Sequence, residues 1–164
     1  MIKYICFFFQ RIINFTIISF LTIIVLIASC TPESICLSNQ NAMQASFYSA
    51  YGKGLKDTIL VNLSIIGLDM SDSIYSKENV QKMFLPLSFN SDSTAFLFEN
   101  NTLKDTLWVA HQKELNYISR KCGYSFNFKI DTVWFSNTFI DSAFVDIRTV
   151  RYNENIENVK IFVY

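Results

Sequence analysis

The sequence has a single histidine, His111, four glycines, two prolines and four cysteines in 164 residues. One histidine rules out the helical zinc motif with two imidazoles, because His111-Gln112-Lys113-Glu114 has no second histidine one turn on. Its place between Ala110 and Gln112, in an alternating stretch, suits a residue at the surface or at a strand end. The few glycines build neither a GxSxG nucleophile turn nor a loop to cradle phosphate. No cysteine is paired with a histidine, so the chain reads as non-enzymatic, with no catalytic residue, metal or cofactor expected. Asp69-Met70-Ser71-Asp72-Ser73 offers two carboxylates to calcium, but lacks the glycine and terminal glutamate of an EF-hand loop and reads as a solvated turn. Charge of one sign is also missing: 14 Lys and Arg face 14 Asp and Glu, with no basic patch, which argues against nucleic acid as a partner.

What the sequence does have is concentrated at its front. The hydrophobic fraction of 51% is high, and residues 12 to 28, IINFTIISFLTIIVLIA, carry no charge. Lys3 and Arg11 precede this stretch, and the first acidic residue is Glu33. A positive start, an apolar run and small residues at its end form a secretory signal. The run closes in Leu26-Ile27-Ala28-Ser29-Cys30. This resembles the lipobox of bacterial lipoproteins, in which small side chains admit the peptidase and the cysteine thiolate takes up a diacylglyceryl group. Cleavage before Cys30 and acylation of its new amino terminus would give two or three chains, enough for stable anchoring at roughly 0.8 kcal/mol per buried methylene. The alternative is an uncleaved helix at the short limit for spanning a bilayer. Thr31 follows the cysteine instead of Asp, so the common inner-membrane retention signal is missing and the reading points to an outer membrane.

Cysteine usage agrees with an oxidising compartment. Cys6 leaves with the signal and Cys30 carries lipid, so Cys36 and Cys122 remain as a disulfide pair, the alternative being two free thiols. Such a bridge closes a long loop, worth on the order of 4 kcal/mol in the chain-entropy model. Without Lys3 and Arg11, the mature chain from Cys30 has 12 basic residues against 14 acidic, a net charge of −2.

Residues 31–42 read as a polar tether, and residues 43–164 as a single domain with period-two patterning. Tyr124, Phe126, Phe128, Ile130, Thr132 and Trp134 alternate with polar residues and are expected on one strand face. Ile59, Val61, Leu63 and Ile65 repeat the pattern. Further strands are expected at 43–51, 83–89, 94–99, 105–111, 115–119, 140–150 and 158–164, with a helical turn at 76–82. The clusters Gly52-Lys53-Gly54, Asn90-Ser91-Asp92-Ser93, Asn100-Asn101 and Asn153-Glu154-Asn155 divide them. This pattern predicts an all-β, antiparallel two-layer sandwich, immunoglobulin-like in architecture only, with a small antiparallel barrel as the alternative. Trp108 and Trp134 read first as core; stacking on sugar rings or lining an apolar cavity are the alternatives.

Six of the eight aspartates are followed by Ser or Thr: Thr58, Ser73, Ser93, Thr106, Thr132 and Ser142. With Ser and Thr at 23 of the 135 mature positions, chance gives one or two such neighbours. One cause is strand entry, an aspartate ending a turn and a hydroxyl residue opening the strand. The triplets also resemble the O-glycosylation acceptor of Bacteroides-type bacteria. That resemblance makes Thr58, Ser73, Ser93, Thr106 and Ser142 candidate glycan sites, with Thr132 disfavoured inside a long strand.

The lipobox with a cysteine shortly after it, Leu85-Pro86-Leu87, Cys122-Gly123-Tyr124, Ile140-Asp141-Ser142 and Asn158-Val159-Lys160-Ile161 together resemble short lipoproteins of unknown function from the Bacteroides–Flavobacterium group. The resemblance implies a compact β domain without an assigned activity. The function expected is that of an envelope-anchored structural or adaptor protein binding another envelope protein. Its alternatives are a carrier of an apolar ligand and a carbohydrate-binding module.

Overall fold

The computed structural model describes residues 41–52, 54–152 and 154–164. The expected signal segment, Cys6, Cys30, Cys36 and the expected tether as far as residue 40 lie outside the described residues. The described residues form ten strands and no helix: β1 Ala42–Ser49, β2 Leu60–Gly67, β3 Ser73–Val80, β4 Lys82–Pro86, β5 Ser93–Asn100, β6 Leu103–Ser119, β7 Gly123–Phe135, β8 Ile140–Val145, β9 Thr149–Val150 and β10 Val159–Val163. They make a four-stranded sheet ordered β4-β1-β10-β8 and a six-stranded sheet ordered β3-β2-β5-β6-β7-β9. The two sheets pack face to face as a sandwich and do not close into a barrel. One pair departs from the expected antiparallel rule: β1 runs parallel to β10, with Phe47 opposite Ile161. The chain between them serves as the long crossover that a parallel pair requires.

Between the sheets lie Met43, Ala45, Phe47, Met83, Leu85 and Ile161 from the smaller one, and Leu63, Ile65, Phe96, Phe98, Leu107 and Ile130 from the larger, all fully buried. Phe47 meets Phe98 edge to face across the layers, with ring centroids 6.0 Å apart. The alternation of β5 (Thr94, Phe96 and Phe98 in; Ala95 and Leu97 half-buried on the other face) is the period-two pattern in its plain form.

Bulges interrupt that period, and in β2 and β7 the break moves side chains to the other face. In β2 the register against β3 jumps between Leu60 and Leu63, and Asn62 has a left-handed φ of 57°. Leu60, Leu63 and Ile65 therefore point inward, while Ile59 and Val61, expected on the same face, are 61% and 56% exposed. In β7 the partners of Ala110 and His111 are Thr132 and Ile130, so Asp131 is the extra residue. Phe128 and Ile130 face the core, but Thr132 and Trp134 face out instead of continuing the same stripe.

Other boundaries also shift. Residues 76–82 form no helical turn; β3 and the start of β4 occupy them. Segments 105–111 and 115–119 are one continuous strand, because β7 pairs with β6 along its length. Segment 140–150 divides: the chain leaves β8 at Val145 and crosses to pair Val150 with Phe128 in the larger sheet. Asn158, 2% exposed, holds that break by donating its amide to the carbonyls of Ile147 and Thr149 while its Oδ1 accepts from the Gln44 N–H.

The opposite crossover, from β7 to β8, is held by a buried carboxylate. Asp105 on β6 is 1% exposed and accepts from the Ser136 hydroxyl at 2.6 Å. It also accepts from the backbone N–H groups of Thr138 (2.9 Å), Phe139 (2.7 Å) and Ile140 (2.8 Å). Burial alone would raise its pKa; the Ser136 hydroxyl and the three N–H groups outweigh it, and the carboxyl is held below its usual range.

Two outcomes follow from this geometry. Asp105→Ala leaves these donors unpaired, so it should lower unfolding free energy by roughly 3 kcal/mol or more in denaturant titrations. Because the folded pKa is depressed, the stabilisation is full above the unfolded value of about 4 and disappears as pH falls through the folded value; the variant should lack that acid limb. At the β3 bulge Lys77 has a φ of 53°. Lys77→Gly should change stability by less than about 0.5 kcal/mol, although glycine within an ordinary strand costs up to about 1. Lys77→Val should cost roughly 1–2 kcal/mol, measured the same way.

Candidate functional site

A concave feature lies at the end of the sandwich where β1 begins. A groove of about 580 Å³ is lined by Asn41, Met70, Ile74, Phe84, Leu87 and Phe89, with Ala42, Pro86, Ser125 and Tyr152 completing it. None of these residues carries a charge. Phe84, Phe89 and Met70 are 48%, 52% and 42% exposed, which is high for large apolar side chains.

Each wall has a local cause. Phe84 lies between buried Met83 and Leu85 on β4, so the sheet's alternation turns it outward. Its N–H, on the free edge of β4, donates to the Tyr75 hydroxyl of β3 at 3.0 Å. Phe89 follows β4 and rests on Phe126 and Phe128, with centroids 5.5 and 5.6 Å away, while its carbonyl accepts from Lys113 Nζ. Met70 folds back over Gly67, its sulfur 2.9 Å from where a Cβ there would sit. Asn41 donates through Nδ2 to Ser125 Oγ and to the Phe126 carbonyl, which fixes the chain's entry beside β7. The sequence reading missed this groove. The available signal was the unbroken apolar run Met83-Phe84-Leu85, where a half-buried strand calls for a polar residue at the middle position.

A smaller recess of about 350 Å³ on the larger sheet is polar and lined by Gln112, Lys113, Glu114, Asn127, Lys129 and Arg151, together with Phe128 and Thr149. On the outer face of the same sheet, Trp108 and Trp134 are cross-strand partners with rings 6.3 Å apart and 4° from parallel. Trp134 is 44% exposed and Trp108 half-buried, so neither belongs to the core position expected first.

His111 is 1% exposed, not a surface residue. Its Nε2 lies 2.8 Å from Thr94 Oγ1, and its ring stands edge-on to Phe128 with centroids 5.2 Å apart. Burial, the largest influence, lowers its pKa. On the outside of the smaller sheet, burial and then the Glu157 carboxylate push Tyr48 up to about 12. Among the described residues no three His, Cys, Asp or Glu side chains converge as a metal site, and Asp69 and Asp72 lie in an exposed turn.

The predicted modification sites are scattered. Ser73 and Ser93 are exposed first residues of strands, as strand entry requires; Thr58, Thr106 and Ser142 are half-buried, and Thr132 is exposed by the β7 bulge. Strand entry does not explain Asp105 or Asp131, which lie inside β6 and β7. Cys122 lies in the turn between these strands, and Cys36, its expected disulfide partner, lies outside the described residues.

The fold and groove define a two-sheet β domain with an open apolar end. Residues 62–163 match DUF6452, a family of unknown function, and the chain belongs to that family. No curated protein and no solved structure matches it.

His111 gives this region a measurable pH response. With its folded pKa depressed, stability is full above about 6.5 and is lost as pH falls, because the unfolded chain takes up the proton first. Denaturation midpoints should decline from about pH 6.5 downward, and His111→Gln should remove that part of the slope while keeping the limb below about pH 4.

Proposed function

We propose that this is a lipid-anchored protein of a bacterial envelope, cut before Cys30, acylated there, and held in an outer membrane. Its role in this reading is that of a non-enzymatic adaptor whose end groove takes an apolar segment of another envelope protein. The observation that carries the reading is the groove itself: half-exposed Phe84, Phe89 and Met70 around uncharged walls, beside the point where the tether enters. A Cys36–Cys122 bridge is part of the proposal, as are glycans on the exposed Ser73 and Ser93. A carrier with its ligand enclosed between the sheets is disfavoured, because fully buried side chains fill that space. A second reading, carbohydrate binding, is supported by the parallel Trp108–Trp134 pair on an exposed sheet face.

A photo-crosslinking residue placed in living cells at position 89 should give one discrete adduct with an envelope protein. Met70→Asp, which puts a charge in the groove wall, should abolish it. Absence of an adduct at 84 and 89, together with fluorescence quenching by glycans that Trp134→Ala removes, would replace the adaptor with the carbohydrate reading.

A further inference from the structure

Beyond the sandwich, β6 and β7 continue together as a projecting hairpin. From Gln112 to Tyr117 every residue of β6 is exposed, although the ladder to β7 persists through Tyr117↔Tyr124 to Ser119↔Gly123. The register sorts its two faces. Leu115 pairs with Phe126 and Tyr117 with Tyr124 on one face; Glu114 pairs with Asn127 and Asn116 with Ser125 on the other. Leu115, Tyr117 and Tyr124 are 58%, 51% and 67% exposed, and the two tyrosine rings meet edge to face at 5.3 Å. Holding these apolar groups in water has no evident return within the described fold. Residues 115–126 carry Arg120 and Lys121 and no acid.

The hairpin projects at the end where the chain enters. Asn41, the residue before β1, is hydrogen-bonded to Ser125 and Phe126 on the β7 arm, about three residues from the turn. Cys30 precedes Asn41 by eleven residues, a reach of at most about 40 Å, and precedes Cys36 by six, at most about 20 Å. Cys122 lies in the hairpin turn itself, so the proposed Cys36–Cys122 bridge would tie the tether there.

We infer that this hairpin is a membrane-contacting element: its tip lies in the headgroup layer of the bilayer that holds the lipid anchor. The inference rests on the proposed lipidation of Cys30. The occupant is a lipid surface, because tyrosines with an apolar ring and a polar hydroxyl settle at the membrane interface. Arg120 complements anionic headgroups, and the short tether keeps that surface within reach. Contact at the tip would fix the domain's orientation, with the end groove beside the membrane.

The test uses the full, natively processed protein in vesicles of phosphatidylcholine and phosphatidylglycerol that carry a headgroup spin label. Wild-type emission comes from Trp108 and Trp134, and Trp134 lies ten residues up β7 from Tyr124, roughly 30 Å away. In Tyr124→Trp, the added emission should shift to the blue and be quenched by the label, while the wild-type signal is unchanged by it. Tyr117→Trp should behave likewise, which guards against a single variant that folds poorly. If both variants float with the vesicles and neither is quenched more than wild type, the hairpin contact is wrong and the anchor stands. If the wild-type protein does not float, the anchor fails and the hairpin proposal falls with it.

Discussion

The structure depends on one buried anion. Asp105 sits on the inner face of the six-stranded sheet and receives the Ser136 hydroxyl and three successive backbone N–H groups of the segment entering β8. That segment is where the chain crosses from one sheet to the other, and a crossover through an apolar interior leaves donors without partners unless something supplies an acceptor. A carboxylate can accept several donors at once, which neutral side chains do less well. Around it, Thr106 and Ser136 close the same corner, the Thr106 N–H donating to Ser136 Oγ and the Ser136 N–H to the Thr106 carbonyl. With β8 fixed, β10 has its antiparallel partner, and β1 then pairs with β10 in parallel.

The legible part of the sequence was its alternation, and it carried the fold class. Strand β5 declared itself because it follows period two and ends at the turn residues Asn100-Asn101, and the sequences of β1 and β10 carry part of the same alternation. The faces of β2 and β7 were legible only in part. One extra residue, Asn62 in one and Asp131 in the other, inverts the side-chain assignment beyond it, and no composition signal marks the inversion. Trp134 therefore reached the surface against expectation. Asp105 looked like one more turn aspartate because its meaning lies in donors 31 to 35 residues away. His111 was misplaced for a similar reason: its place between Ala110 and Gln112 suggested the surface or a strand end, while a hydrogen bond to Thr94 lets the ring stay buried.

The groove and the hairpin share one physical theme, apolar surface that the described fold leaves uncovered. Phe84 and Phe89 flank the end where β1 starts, and Tyr117 and Tyr124 extend the hairpin beyond it. A tether entering at Asn41 puts both features on the side from which the chain arrives. In the proposed reading the groove is the binding surface and the hairpin sets the orientation at the membrane. Membership of a family of unknown function supplies no activity to set against this reading.

The central claim is that the domain is tethered by lipid on Cys30, and the most direct measurement is the intact mass of the protein taken from its native membrane. The account predicts the mass of residues 30–164 plus two or three acyl chains, rising by two hydrogen atoms when the Cys36–Cys122 bridge is reduced. A full-length mass without lipid would contradict it and leave an uncleaved apolar segment as the anchor.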